Sequence, residues 1–271
     1  MLRENEMRIA HEAPLSIIRK VQEVTDYDYA LVHLFDESEE YYSFFEDALS
    51  KGRYVILDNS IFELGTAFDI SKFAEYVNKL KPSAYIVPDA LEDKDKTIAN
   101  FELWMNNYND LPGKKIGVVQ GKTYQEIIEC YQYMREYADV IAISFDYSYY
   151  EQQFPNETTK YHAWMKGRQN MLLDMYEDGI LDTTKPHHLL GAGLPQEFAI
   201  YKHWHWIDTI DTSNPVVHGM KGIRYKRMDY GLHGLNNKES TKLFTLLDEE
   251  VENVDDILYN VRMFKSNLTI A

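Results

Sequence analysis

Ala84 to Gln120 reads AYIVPDALEDKDKTIANFELWMNNYNDLPGKKIGVVQ. Two short apolar runs, Ala84 to Asp89 and Lys115 to Gln120, flank Lys94 to Tyr108, where apolar residues recur at helical spacing. Apolar runs of about four to eight residues bounded by turn formers suit strands buried on both faces of a parallel sheet. A strand, a helix and a second strand running the same way make a right-handed crossover unit.

The pattern continues on both sides of this unit. Before it lie Tyr29 to Leu34 (YALVHL) and Arg53 to Asp58 (RYVILD). After it come Asp139 to Phe145 (DVIAISF), His187 to Gly193 (HHLLGAG), Trp206 to Ser213 (WIDTIDTS) and the weaker Gly222 to Tyr225 (GIRY). Amphipathic stretches separate them: Asp69 to Leu80, Thr123 to Tyr137, Tyr161 to Asp178 and Pro195 to Trp204. Eight strand and helix pairs favour a closed barrel over an open sheet. The expected fold class is α/β, a single-domain (β/α)8 barrel of the TIM type over about 29–225. Two closing helices are expected over about 237–265.

The chain of 271 residues has the length of one such barrel. Hydrophobic residues make up 45%, enough for a sizeable core, so a disordered or fibrous chain is excluded. No apolar stretch reaches the length of a membrane span, and MLRENEMRIAHEAP lacks an apolar signal core. These features predict a cytoplasmic protein with no membrane partner. The single cysteine, Cys130, lies in a helical pattern and reads as a buried structural thiol.

In a β/α barrel the active site lies at the C-terminal ends of the strands. Several of the predicted strands end in polar side chains: Asp58, Asp89, Gln120, Ser144 with Asp146, and Asp211. A strand-terminal aspartate often caps the following helix. After Asp211 comes Thr-Ser-Asn-Pro, where no helix obviously begins, so capping explains Asp211 poorly. Convergent carboxylates suit glycosyl chemistry, one attacking or stabilising an anomeric carbon and another moving protons.

Three other features bear on function. The net charge of -16 argues against general nucleic-acid affinity, because phosphate contacts dominate such binding. Yet His218 to Arg227 (HGMKGIRYKR) carries Lys221, Arg224, Lys226 and Arg227 without an acid. It reads equally as a solvated basic turn or a phosphate-binding patch. The histidines His187, His188, His203 and His205 invite a metal-dependent hydrolase. Their places at or before strand starts put them on the opposite rim, as exposed or interfacial residues. Finally, Tyr147 to Phe154 (YSYYEQQF) reads as a loop that could be a lid, a stacking platform or an interaction surface of a non-catalytic barrel.

Four segments resemble the tRNA-guanine transglycosylases, in that family's order. Val55 to Gly65 (VILDNSIFELG) is similar to Asp-Ser-Gly-Gly-Phe-Gln, and Ile116 to Lys122 (IGVVQGK) to Gly-Ile-Val-Gln-Gly-Gly. His188 to Gln196 (HLLGAGLPQ) resembles Tyr-Leu-Met-Gly-Val-Gly-Thr-Pro-Glu, and Ile207 to Pro215 (IDTIDTSNP) resembles Ile-Asp-Met-Phe-Asp-Cys-Val-Met-Pro. The resemblance implies Asp211 as nucleophile and Asp58 as general acid/base. It implies Asp89 and Gln120 as readers of the guanine edge, and Phe62 and Leu190, with Gly191 beside it, as the base sandwich.

The sequence departs from the family at Ser60-Ile61, at Glu63 and at Ser144-Phe145-Asp146, and it lacks the cysteine-rich zinc subdomain. Short zinc-free relatives resemble the phage-type 7-deazaguanine DNA transglycosylases. The implied activity is therefore replacement of guanine in DNA by a 7-deazaguanine such as 7-cyano-7-deazaguanine, with no cofactor and no metal. Lys221, Arg224, Lys226 and Arg227 would contact the nucleic acid, and the acidic net charge leaves room for a basic partner protein. The alternatives are a tRNA enzyme without its zinc module and a non-catalytic barrel that binds a nucleobase or a partner.

Overall fold

The computed structural model describes residues 7–228, 231–233, 235–239, 245–248 and 250–268. Eight strands form one sheet: β1 (Arg8–Ala10), β2 (Asp28–Leu31), β3 (Val55–Asp58), β4 (Ala84–Ile86), β5 (Lys114–Val119), β6 (Val140–Ile143), β7 (His187–Leu189) and β8 (Ile207–Asp211). Their order is β1-β8-β7-β6-β5-β4-β3-β2. The fold is α/β, a (β/α)8 barrel of the TIM type. Its first strand lies parallel beside its last, Ala10 opposite Asp211, as a ring of strands requires and an open doubly wound sheet does not. A separate antiparallel pair joins β9 (Lys226–Met228) to β10 (Gly231–His233).

The helices are α1 (Ile18–Gln22), α2 (His33–Glu37), α3 (Glu39–Ser50), α4 (Ile61–Leu64), α5 (Ile70–Leu80), α6 (Lys94–Tyr108), α7 (Tyr124–Tyr137), α8 (Ser148–Gln153), α9 (Lys160–Glu177), α10 (Asn214–Met220), α11 (Thr245–Asp248) and α12 (Val254–Leu268). Local chemistry starts them where the sequence signals lie. The Asp69 and Asp93 side chains accept from the N–H groups of Lys72 and Lys96, and Thr123 forms a reciprocal capping box with Glu126. No helix among the described residues is long and apolar enough to cross a membrane.

Five expectations are corrected. The first strand of the sheet is Arg8–Ala10, not Tyr29 to Leu34, and Gly222 to Tyr225 is no strand. β1 has only three residues, the first of them Arg8, too short to register as an apolar run. Tyr225 instead joins the helical layer: its N–H donates to Asn260 Oδ1 (2.8 Å) and its hydroxyl to Asn214 Oδ1. Pro195 to Trp204 forms two 3-10 turns, Pro195–Ala199 and Tyr201–His203. Thr-Ser-Asn-Pro leads directly into α10, with proline in its first turn. The run Tyr147 to Phe154 contains α8, whose Tyr149 and Tyr150 are buried beside the equally buried Tyr147, so it offers no aromatic surface.

The chain groups into two compact units, Met1–Asp26 with Phe145–Ala271, and Tyr27–Ser144. In the first, α1, α10 and α12 bury Ile17, Val21, Val216, Ile257 and Val261 together. Gly219 permits their close approach, since a Cβ there would lie 2.5 Å from the backbone of Ile257. The second unit packs Phe73, Tyr85 and Trp104 as one aromatic cluster, with the Trp104 indole donating to the Tyr85 hydroxyl. Cys130 is buried there, accepting from the Gln120 N–H, and burial pushes its thiol up to about 12. It is a structural thiol, as its neighbours predict.

Candidate active site

In the first unit the site is built where β1 and β8 end. The Thr212 N–H donates to Ala10 O (3.1 Å), and His11 Nδ1 lies 2.6 Å from Thr212 O, so the two strand ends are tied together. Glu12, two residues past Ala10, is thereby set against Asp211. Its carboxyl donates a hydrogen bond to the Asp211 carboxylate. Glu12 Oε2 is shielded from solvent and has no hydrogen-bond partner among the described residues.

Asp211 is buried, 4% exposed. Its Oδ1 accepts from the Gly191 N–H (3.3 Å) and lies 3.0 Å from His188 Nε2. His188 Nδ1 sits 2.9 Å from the Thr209 hydroxyl, which fixes the ring. Asp211 is not the cap of α10: the Thr212 hydroxyl accepts from the Asn214 N–H that opens that helix.

Burial raises both carboxyls, and mutual repulsion drives the pair apart. Glu12 is held well above the usual carboxylate range, first by burial and then by the charge of Asp211. Asp211 is pushed up to about 6 by burial, opposed by the Gly191 N–H, the Glu12 hydrogen bond and the nearby charges of Lys238 and Arg168. Lys238 has its ammonium 4.3 Å over the Phe145 ring and also favours ionisation of Glu12. Of the two, Glu12 is raised the further, so it holds its proton more firmly than Asp211 does.

The Leu190–Gly191 turn that faces Asp211 is locked from below. Arg168, in the middle of α9 and fully buried, donates to Leu190 O (2.8 Å) and Gly191 O (3.0 Å). It also pairs with buried Glu197 at 2.6 Å, which in turn accepts from the Tyr201 hydroxyl. Gly191 has φ of +59°, and a Cβ there would lie 2.6 Å from the Phe145 ring. Glycine is required on both counts.

The second unit carries its own polar cluster. Asp58, at the end of β3, accepts from the Tyr29 hydroxyl (2.6 Å) and from the Ser60 N–H. Ser60 takes a left-handed conformation, φ of +59°, which turns the backbone back onto that carboxylate. Asp89 is buried between two amides, Asn59 Nδ2 at 2.8 Å and Gln120 Nε2 at 2.7 Å. Gln120 Oε1 accepts from the Glu92 N–H. Phe62, on α4, is 54% exposed. Asp58, Asp89 and Gln120 therefore belong to one neighbourhood of this unit, and Asp211, Leu190 and Gly191 to one neighbourhood of the other.

The basic segment is partly neutralised. Lys221 pairs with Glu239 (2.6 Å) and Arg224 with Asp256 (2.5 Å). Lys226 is exposed, and the side chain of Arg227 lies outside the described residues. The histidine pair departs from expectation. His187 and His188 are buried, and His188 stands one residue from the C-terminal end of the three-residue β7. His203 and His205 are exposed. Among the described residues no group of three or more His, Cys, Asp or Glu is disposed to hold a metal ion.

Glu12 and Arg168 do not stand out in the sequence, and His188 reads there only as a residue of the opposite rim. Glu12 lies two residues past a strand too short to recognise. Arg168 had a usable signal. It lies on the apolar stripe of α9 with Trp164, Met171, Leu172 and Met175, where a cation is buried by construction.

No family model matches the chain, and no curated protein matches it either.

Proposed function

We propose that this chain is a base-exchange glycosyltransferase that replaces guanine in DNA with a 7-deazaguanine, using Asp211 as the nucleophile. The observation that carries the reading is the buried Asp211 carboxyl at a strand end, hydrogen-bonded to the Glu12 carboxyl and aligned by the Gly191 N–H. A desolvated carboxylate with a fixed N–H donor suits covalent glycosyl transfer. The order of the four motifs along the barrel points to a purine base as the leaving group.

Asp211 attacks C1′ of a flipped-out nucleotide, the C1′–N9 bond breaks and guanine departs, leaving an aspartyl ester. The incoming 7-deazaguanine attacks C1′ through its own N9 and displaces Asp211. Two inversions give net retention. The remaining roles follow the resemblance: Asp58 as acid/base, Asp89 and Gln120 at the purine edge, and Phe62 and Leu190 stacking on the base.

The test is exchange of labelled guanine into duplex DNA and into tRNA, with denaturing gels for a covalent adduct. Wild-type protein should label DNA and give an adduct that Asp211→Asn cannot form. Label entering tRNA alone would replace the DNA reading with a tRNA one. Full exchange by Asp211→Asn would overturn the assignment of the nucleophile.

A further inference from the structure

We infer that Glu12 is the proton carrier of this site, giving its proton to the departing guanine and taking one back from the incoming base. The inference rests on the base-exchange reading and moves the acid/base role from Asp58, where the resemblance puts it, to Glu12, a residue that neither the motifs nor the resemblance assigns. Its geometric ground is the pairing of β1 with β8, which places Glu12 directly against Asp211, and an Oε2 that is buried with no partner among the described residues. A buried oxygen left without a partner costs free energy, so such an atom is held for something the free protein lacks.

The charges around Glu12 set its proton. Asp211 faces it with a negative charge and accepts its hydrogen bond. Lys238 acts on both carboxyls, and Arg168 acts on Asp211. His188 Nε2 lies 3.0 Å from Asp211 Oδ1. Burial and Asp211 dominate, so Glu12 keeps its proton while Asp211 is a carboxylate. Asp58 is differently placed: its two oxygens are engaged as acceptors from Tyr29 and Ser60.

The proton balance closes through two steps. As Asp211 bonds to C1′, the electron pair of the C1′–N9 bond passes to guanine, which takes the Glu12 proton. Neutral guanine leaves, and Glu12 becomes a carboxylate just as Asp211 loses its charge in the ester. The like-charge repulsion that kept Glu12 protonated is thereby removed, and the site holds one negative charge throughout. The incoming base then gives its N9 proton to Glu12 as N9 attacks C1′ and Asp211 departs as a carboxylate. The starting state is restored.

Guanine methylated at N7 tests this, because it is already cationic and leaves without a proton. An enzyme that accepts bases substituted at position 7 has room for the methyl group. Plasmid DNA is methylated with dimethyl sulfate, and release of 7-methylguanine is compared with exchange of labelled guanine into unmethylated DNA. Glu12→Gln keeps the length and a donor towards Asp211. It should lose about 10²–10⁴-fold in guanine exchange, the usual worth of a general acid, and lose no more than about tenfold in release of 7-methylguanine.

Glu12→Asp, which keeps a proton on a shorter arm, should recover part of the guanine activity. Equal loss on both substrates by a Glu12→Gln variant with native circular dichroism would make Glu12 a structural or positioning residue. Undiminished guanine exchange would equally overturn the inference. Failure of the base-exchange reading itself looks different: wild-type protein then acts on neither DNA, or Asp211→Asn acts as well as wild type.

Discussion

Replacing Asp211 by asparagine should stabilise the protein above neutral pH while abolishing the proposed base exchange. Asp211 is buried, and its carboxyl is raised from 3.8 to about 6. A carboxyl raised in the folded state favours folding while it is protonated. That advantage is complete below the unfolded value and is lost as pH rises through the folded one. Above about pH 6 the folded protein therefore carries a desolvated charge that the unfolded chain hydrates freely.

A shift of roughly two units is worth ~3 kcal/mol at most. The Glu12–Asp211 pair titrates jointly, so about 1–3 kcal/mol is the range to expect from removing one member. Asparagine keeps the shape and an oxygen for the Gly191 N–H, but no charge. For a chain of this size the gain is about 2–6 °C in Tm at pH 8, shrinking towards zero near pH 4. Thermal unfolding of both proteins by circular dichroism across pH 4–8 measures it. An Asp211→Asn variant no more stable than wild type at pH 8, or a difference that does not change with pH, would refute the reasoning. The gain in stability at the expense of activity is the usual exchange at a working site.

Two further outcomes are expected. Arg168→Met leaves Glu197 buried without its cation and strips donors from Leu190 O and Gly191 O, so it should cost about 3–5 kcal/mol in chemical denaturation; a loss under about 1 kcal/mol would show the pair to be dispensable. Lys221→Ala and Arg224→Ala, whose cations are already paired with Glu239 and Asp256, should change stability by less than about 1 kcal/mol and leave the salt dependence of DNA binding unchanged. A salt slope lower by about one per residue would instead make them phosphate contacts.

The barrel was legible in the sequence because buried parallel strands need continuous apolar runs and their helices need amphipathic ones. RYVILD, KIGVVQ and DVIAISF match strands to within two residues at each bound, and AYIVPD opens on β4, which ends three residues early. Legibility failed where local signals were short or contested. Arg8–Ala10 is too brief to show a pattern, so the barrel's first strand and Glu12 behind it stayed hidden. Gly222 to Tyr225 has strand-like composition, but its hydrogen bonds go to Asn260 and Asn214. The tyrosine-rich stretch after β6 looked like an exposed loop because tyrosine is amphipathic, and only packing against Gly167 buries Tyr150.

The sequence by itself determined the strand and helix alternation, the caps that start the helices, and the set of polar residues at strand ends, Asp211 among them. These depend on local periodicity and on each residue's own chemistry. Which of those residues meet was decided by tertiary structure. The pairing of β1 with β8 joins Glu12 to Asp211 across about two hundred residues, and the register of β7 aims His188 at the same carboxylate. The protonation of that pair depends on distance and solvent exclusion between groups remote in the chain, so it exists only once the strands have come together.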